Sequence, residues 1–143
     1  MPNARFSHRA TTPAAPTQVW KRLQDPTTWA AVAGVDHTSD HEFAGDSLVR
    51  FRFTTSISGV TYRGRARVTA SEPETSMSLA IESSEIAGDI LVALAPAATG
   101  SDLEVVMTMR PAGLVGTLVF PLVSGAVSSG FGDSVDRLAA RMV

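Results

Sequence analysis

At 143 residues the chain has room for one domain and not for two ordinary ones. Hydrophobic residues make up 44% of it, charged residues 18%, and the formal net charge is −2. That balance excludes a disordered chain and provides no global basic field for nucleic acid. Cysteine is absent, which excludes disulfides, thiolate metal sites and a thiol nucleophile, and makes a reducing cytoplasm the expected compartment.

The stretch from Met1 to Arg9 lacks the apolar core of a signal peptide. Phe6, His8 and Ala10 alternate with Arg5, Ser7 and Arg9, which predicts a first strand with one face inward. Thr12-Pro13-Ala14-Ala15-Pro16 breaks it, and Pro16 can open a helix because its missing N–H is not needed there. Val19, Trp20 and Leu23 give that helix one apolar side. Asp25-Pro26 ends it and starts another, with Asp25 as N-cap, Pro26 at the first helical position and Gly34 as the expected stop.

From Asp36 to Pro111 the period becomes two. Phe43 precedes the turn Ala44-Gly45-Asp46, and Val49, Phe51 and Phe53 alternate with Leu48, Arg50 and Arg52. After Ser56-Ile57-Ser58-Gly59, the residues Val60, Tyr62, Gly64, Ala66 and Val68 alternate with Thr61, Arg63, Arg65, Arg67 and Thr69. Met77, Leu79 and Ile81 follow a turn at Glu72-Pro73-Glu74; Ile86 to Ala95 and then Leu103, Val105, Met107 and Met109 complete seven strands. Turns of hairpin length predict an antiparallel meander.

The last thirty residues return to helical period. Val127, Phe131, Val135, Leu138 and Met142 form one face, and Asp133 and Arg137 are spaced as an outward i,i+4 pair. Upstream, Leu114 to Val123 is apolar all round. It is half the roughly 20 residues of a membrane span, and Pro121 predicts a broken or kinked helix. The whole of residues 1–143 therefore reads as a single α+β domain: a seven-stranded curved antiparallel sheet wrapped around a long C-terminal helix, with two short helices after the first strand.

The run Ala14-Ala15-Pro16-Thr17-Gln18-Val19-Trp20-Lys21-Arg22-Leu23, then Asp25-Pro26-Thr27-Thr28-Trp29, and the closing helix resemble the SRPBCC superfamily of START-like helix-grip proteins. Within it, the Gly-rich, Pro-interrupted start of the last helix and the Phe-Gly at Phe131 are similar to the G subunits of carbon monoxide dehydrogenase. Where those proteins read Ile-Pro-Gly, this chain has Val32-Ala33-Gly34. The resemblance implies a hydrophobic cavity, and a ligand-binding or polyketide cyclase-type role.

The expected inward face comprises Val49, Phe51, Phe53, Tyr62, Met77, Leu79, Ile81, Met107 and Met109, nearly all non-ionisable. Acid–base catalysis needs placed titratable groups, so this face favours a carrier or sensor of a small apolar ligand over a cyclase. The expected ligand contacts are Phe51, Phe53, Tyr62, Met77, Leu79, Met107, Met109, Val127 and Phe131, and the Tyr62 hydroxyl needs a partner, either a backbone carbonyl or a ligand oxygen. No catalytic set, metal or cofactor is assigned. His8 is expected to be a satisfied histidine at the sheet edge, and Trp20 and Trp29 to be core. Asp36, His37, Asp40, His41 and Glu42 look like metal ligands, but in an extended chain residues four apart are about 13 Å apart, so a solvated loop is expected. Arg50, Arg52, Arg63, Arg65 and Arg67 share the outward face. Glu42 and Glu82 are expected to relieve them, and the alternative is contact with an anionic membrane or protein surface.

Overall fold

Alternating side chains generate the first strand, β1 (Ala4–Thr12), whose odd residues are exposed and whose even ones are covered. The computed structural model describes residues 3–30, 35–57 and 59–143. The expected helix stop at Gly34, the stretch Val32-Ala33-Gly34 and Ser58 lie outside the described residues.

Two short helices follow, α1 (Pro16–Leu23) and α2 (Pro26–Trp29), each with proline in its first turn. The Asp25 carboxylate caps α2 by accepting from the Thr27 N–H at 2.9 Å. Then come β2 (Val35–Ala44), β3 (Ser47–Ile57), β4 (Val60–Glu72), β5 (Ser76–Ser83), β6 (Ile86–Ala97), β7 (Gly100–Pro111) and α3 (Gly113–Ala140). The strands form one antiparallel sheet in the order β1-β7-β6-β5-β4-β3-β2, so β1 and β2 are its edges. This is the seven-stranded helix-grip arrangement.

Four local outcomes differ from the sequence expectations. In β3 the pairings Glu42↔Arg50 and Phe43↔Leu48 leave Val49 as an extra residue. That bulge turns Leu48 into the core, 3% exposed, and leaves Val49 only half-buried. Asp36 to Glu42 form most of strand β2 rather than a loop. Further register shifts interrupt β2, and Asp40 adopts φ +49°.

The third difference is in α3, which runs unbroken through Pro121 for 28 residues and is long and apolar enough to cross a membrane. Proline removes only the hydrogen bond to the Thr117 carbonyl. Thr117 and Pro121 are both exposed, so water can satisfy that carbonyl and the ring meets no packed neighbour. The expected Asp133–Arg137 pair is also replaced, because Arg137 donates to the Ser134 hydroxyl at 3.0 Å.

The α3 stripe closes the core as expected: Val127, Phe131, Val135, Leu138 and Met142 are all buried. The helix packs chiefly on β1 and β7, one side of the sheet. Its start is fastened to the β5–β6 turn, where Ala112 donates to the Glu85 carbonyl at 2.8 Å. Gly116 is required there, since a Cβ would collide with that same carbonyl.

Candidate ligand cavity

With α3 seated over β1 and β7, the concave face of β3, β4 and β5 has no helix directly on it. A cavity of about 80 Å³ lies there. Its sheet wall is Phe51, Phe53, Tyr62, Ala66, Leu79 and Ile81; Met107 and Met109 come from β7, Val123 and Val127 from α3, and Trp29 from α2. Gly64 allows the Phe53 ring to lie across the sheet, because a Cβ on Gly64 would sit 2.7 Å from that ring.

Seven of the nine expected contacts therefore meet: Phe51, Phe53, Tyr62, Leu79, Met107, Met109 and Val127. Met77 and Phe131 do not line the cavity. Met77, 1% exposed, sits at the opposite end of β5, where Gln24 at the C-cap of α1 places its Nε2 3.8 Å from the sulfur. Phe131 packs on Phe6 of β1 with ring centroids 5.7 Å apart. Strand alternation turns Met77 inward and helical period turns Phe131 inward, but Gln24 and Phe6 cover them.

Trp29 and Ile57 line the cavity, though the first was expected only in the core and the second in a turn. Trp29 also has a structural duty, its indole N–H donating to the Leu23 carbonyl at 2.9 Å. Val35, Thr55, Ile86 and Ile90 complete the parts of the wall that alternation did not single out.

No aspartate, glutamate, histidine, lysine or arginine is among the described lining residues. Thr55 and Ser83 contribute hydroxyls, and Ser83 Oγ is engaged with Ile86 at 3.0 Å. Tyr62 is buried, and its hydroxyl has no hydrogen-bond partner among the described residues. His8 points elsewhere, its Nε2 3.1 Å from Asp136 Oδ1 across the β1–α3 contact. No group of three potential metal ligands occurs among the described residues.

On the convex side Arg50 lies opposite Arg67, and Arg52 opposite Arg65, as like-charged cross-strand neighbours. Carboxylates relieve them: Glu42 reaches Arg50 at 2.5 Å, Asp40 reaches Arg52 at 3.5 Å, and Glu82 serves Arg65 at 3.4 Å and Arg67 at 3.9 Å. The hydrogen bond from Arg50 holds the Glu42 carboxyl below its ordinary range. A wider depression of about 660 Å³ runs over Arg52, Arg63 and Arg65, where Asp40 pairs with Arg52 and Glu82 with Arg65.

An antiparallel sheet gripping one long helix over an apolar cavity defines a helix-grip binding domain. The family described as polyketide cyclase / dehydrase and lipid transport matches residues 3–143, and the chain belongs to that family. The fold is shared with a START superfamily protein from Mycobacterium smegmatis, at a TM-score of 0.72 and 8% identity, covering 97% of this chain and 99% of that one. It is shared also with a Staphylococcus aureus protein, SA2116, at a TM-score of 0.68 and 11% identity, covering 99% and 94%. A third, TTHA0849 from Thermus thermophilus, has a TM-score of 0.67 and 16% identity, covering 99% and 97%. Comparison with curated proteins found no match.

Proposed function

We propose that this protein binds one small apolar molecule between α3 and the concave face of β3–β5. The observation that carries the reading is the cavity wall itself: apolar side chains from six strands and two helices, with Tyr62 among them. Such a wall holds a ligand by burial and orients it through very few polar groups. At about 80 Å³ the space is smaller than the roughly 300–1,000 Å³ of pockets for drug-sized ligands. A lipid chain, an isoprenoid quinone or a polyketide-like ring must therefore displace side chains on entry. Met107 and Met109 are suited to that, because unbranched thioethers repack at small cost.

Family membership supports apolar ligand chemistry and includes cyclases as well as carriers. The lining supports the carrier. A cyclase would need a base or acid beside the substrate carbonyl, and among the described lining residues Tyr62 is the one ionisable side chain. The finer likeness to the G subunits of carbon monoxide dehydrogenase belongs to this proposal, on the Gly-rich start of α3 and Phe131-Gly132.

The test is a thermal-shift panel across quinones, fatty acyl chains and aromatic polyketides. A ligand at a hundred times its Kd adds about 2.7 kcal/mol of stability. Tyr62→Phe should weaken oxygen-bearing ligands while leaving pure hydrocarbons unaffected. Silence across the whole panel would remove the carrier reading.

A further inference from the structure

Four of the large apolar side chains exposed on this protein fall on consecutive turns of α3. Leu114 is 87% exposed, Leu118 80% and Leu122 50%, at steps of four, with Val115 at 62% beside them. From Pro111 to Gly132 no residue is charged. A helix face in water normally carries lysine or glutamate, so this one is built for a different medium. Spanning a bilayer would pull Phe120, Val123, Val127 and Phe131 off the sheet, where they are buried. Lying along the lipid–water boundary leaves them in place.

We propose that the outer face of the first half of α3 docks on a lipid surface, inserting Leu114, Val115, Leu118 and Leu122 among the acyl chains. A second copy of the chain fits the face less well. At roughly 100 Å² for a Leu or Val side chain, the four expose on the order of 300 Å² together, against about 800 Å² per partner in a stable dimer. A protein partner would also be expected to meet a polar, chargeable rim, whereas the exposed neighbours here are Gly113, Thr117, Pro121, Gly125 and Ala126. Hydrocarbon demands neither charge nor shape from the helix.

Position adds a purpose. The opposite side of the same turns carries Val123 and Val127, which line the cavity. The β3–β4 and β5–β6 turns share one end of the sheet with the start of α3, and Val60 at the first of them is 49% exposed. Docking therefore brings the rim of the cavity to acyl-chain depth, where an apolar ligand can pass without crossing water. That loading role rests on the proposed ligand-binding function; the docking itself does not.

Flotation of the full chain with vesicles of pure phosphatidylcholine tests the docking, with Leu118→Asp/Leu122→Asp as the variant. The wild type should float, and equally so at about 1 M salt, where charges are screened beyond about 3 Å. The variant should lose more than about tenfold in partitioning at an unchanged melting temperature. Absence of flotation with neutral vesicles would overturn the proposal. So would flotation confined to anionic vesicles and lost in salt, which would point to the arginine face instead. A lipid-free dimer broken by the variant, with no flotation, would make the occupant a second copy. Thermal shifts by apolar compounds are recorded on both proteins. A variant that keeps its shift but no longer floats confirms docking as separate from ligand binding, and a wild type that floats without any shift removes the ligand reading alone.

Discussion

The two halves of α3 share an apolar inner face and differ in what they turn outward. In the C-terminal half, Phe131, Val135 and Leu138 are buried while Asp133, Asp136 and Arg137 face water. In the N-terminal half, Phe120 and Val123 are buried while Leu114, Leu118 and Leu122 lie open. Burial follows what each face meets rather than hydrophobicity. The second half rests on β1, where Phe131 meets Phe6 and Asp136 meets His8, and the first half turns Val123 to the cavity. The polar face is therefore informative in one half, and its absence is informative in the other.

The strongest way to break the comparison is Phe131→Ala. If the C-terminal half closes the core against Phe6, chemical denaturation should show a loss of about 3–5 kcal/mol. A loss well under 2 kcal/mol would mean that this half is as loosely held as the other.

Pro121→Ala asks how much the missing hydrogen bond weakens the N-terminal half. Pro121 is exposed inside an unbroken helix, so the substitution returns one hydrogen bond to Thr117 and should stabilise by about 1–3 kcal/mol. No gain would show that this half contributes nothing to the measured unfolding.

Val127→Phe acts at the junction, where the helix lines the cavity. Filling part of the space should change stability by about 1–2 kcal/mol or less in either direction and abolish the thermal shift from any apolar ligand. A retained shift would place the ligand elsewhere. The smallest effect belongs to Leu118→Asp, which should alter the melting free energy by no more than about 0.5 kcal/mol. A large loss would show that the outer face is packed in solution, against the whole comparison.

Most of the sheet was legible because one face is covered. Tyr62, Ala66, Met77, Leu79, Met107 and Met109 alternate with half-buried or exposed partners and fall inward as their spacing predicts. Val49 was misplaced because Leu48-Val49 is apolar at both positions, so a bulge leaves no trace in the pattern. The cavity was only partly legible. Alternation shows which way a side chain points, but not whether another element already lies over it. Met77 is capped by Gln24 and Phe131 by Phe6, contacts made across 53 and 125 residues of chain. Trp29 and Ile57 join from a helix end and a strand tip, where neither period applies.

Strand β2 has a consequence for the chain in a crowded solution. An edge strand of ten residues offers its free backbone groups to any neighbouring strand, which is how native sheets nucleate fibrils. Here the register shifts repeatedly, Asp40 turns left-handed, and Asp36, His37, Asp40, His41 and Glu42 stand exposed along it. A second β2 brought alongside would find its hydrogen bonds out of step and its carboxylates facing one another. The residues that looked like metal ligands thus protect the open edge of the sheet against runaway pairing.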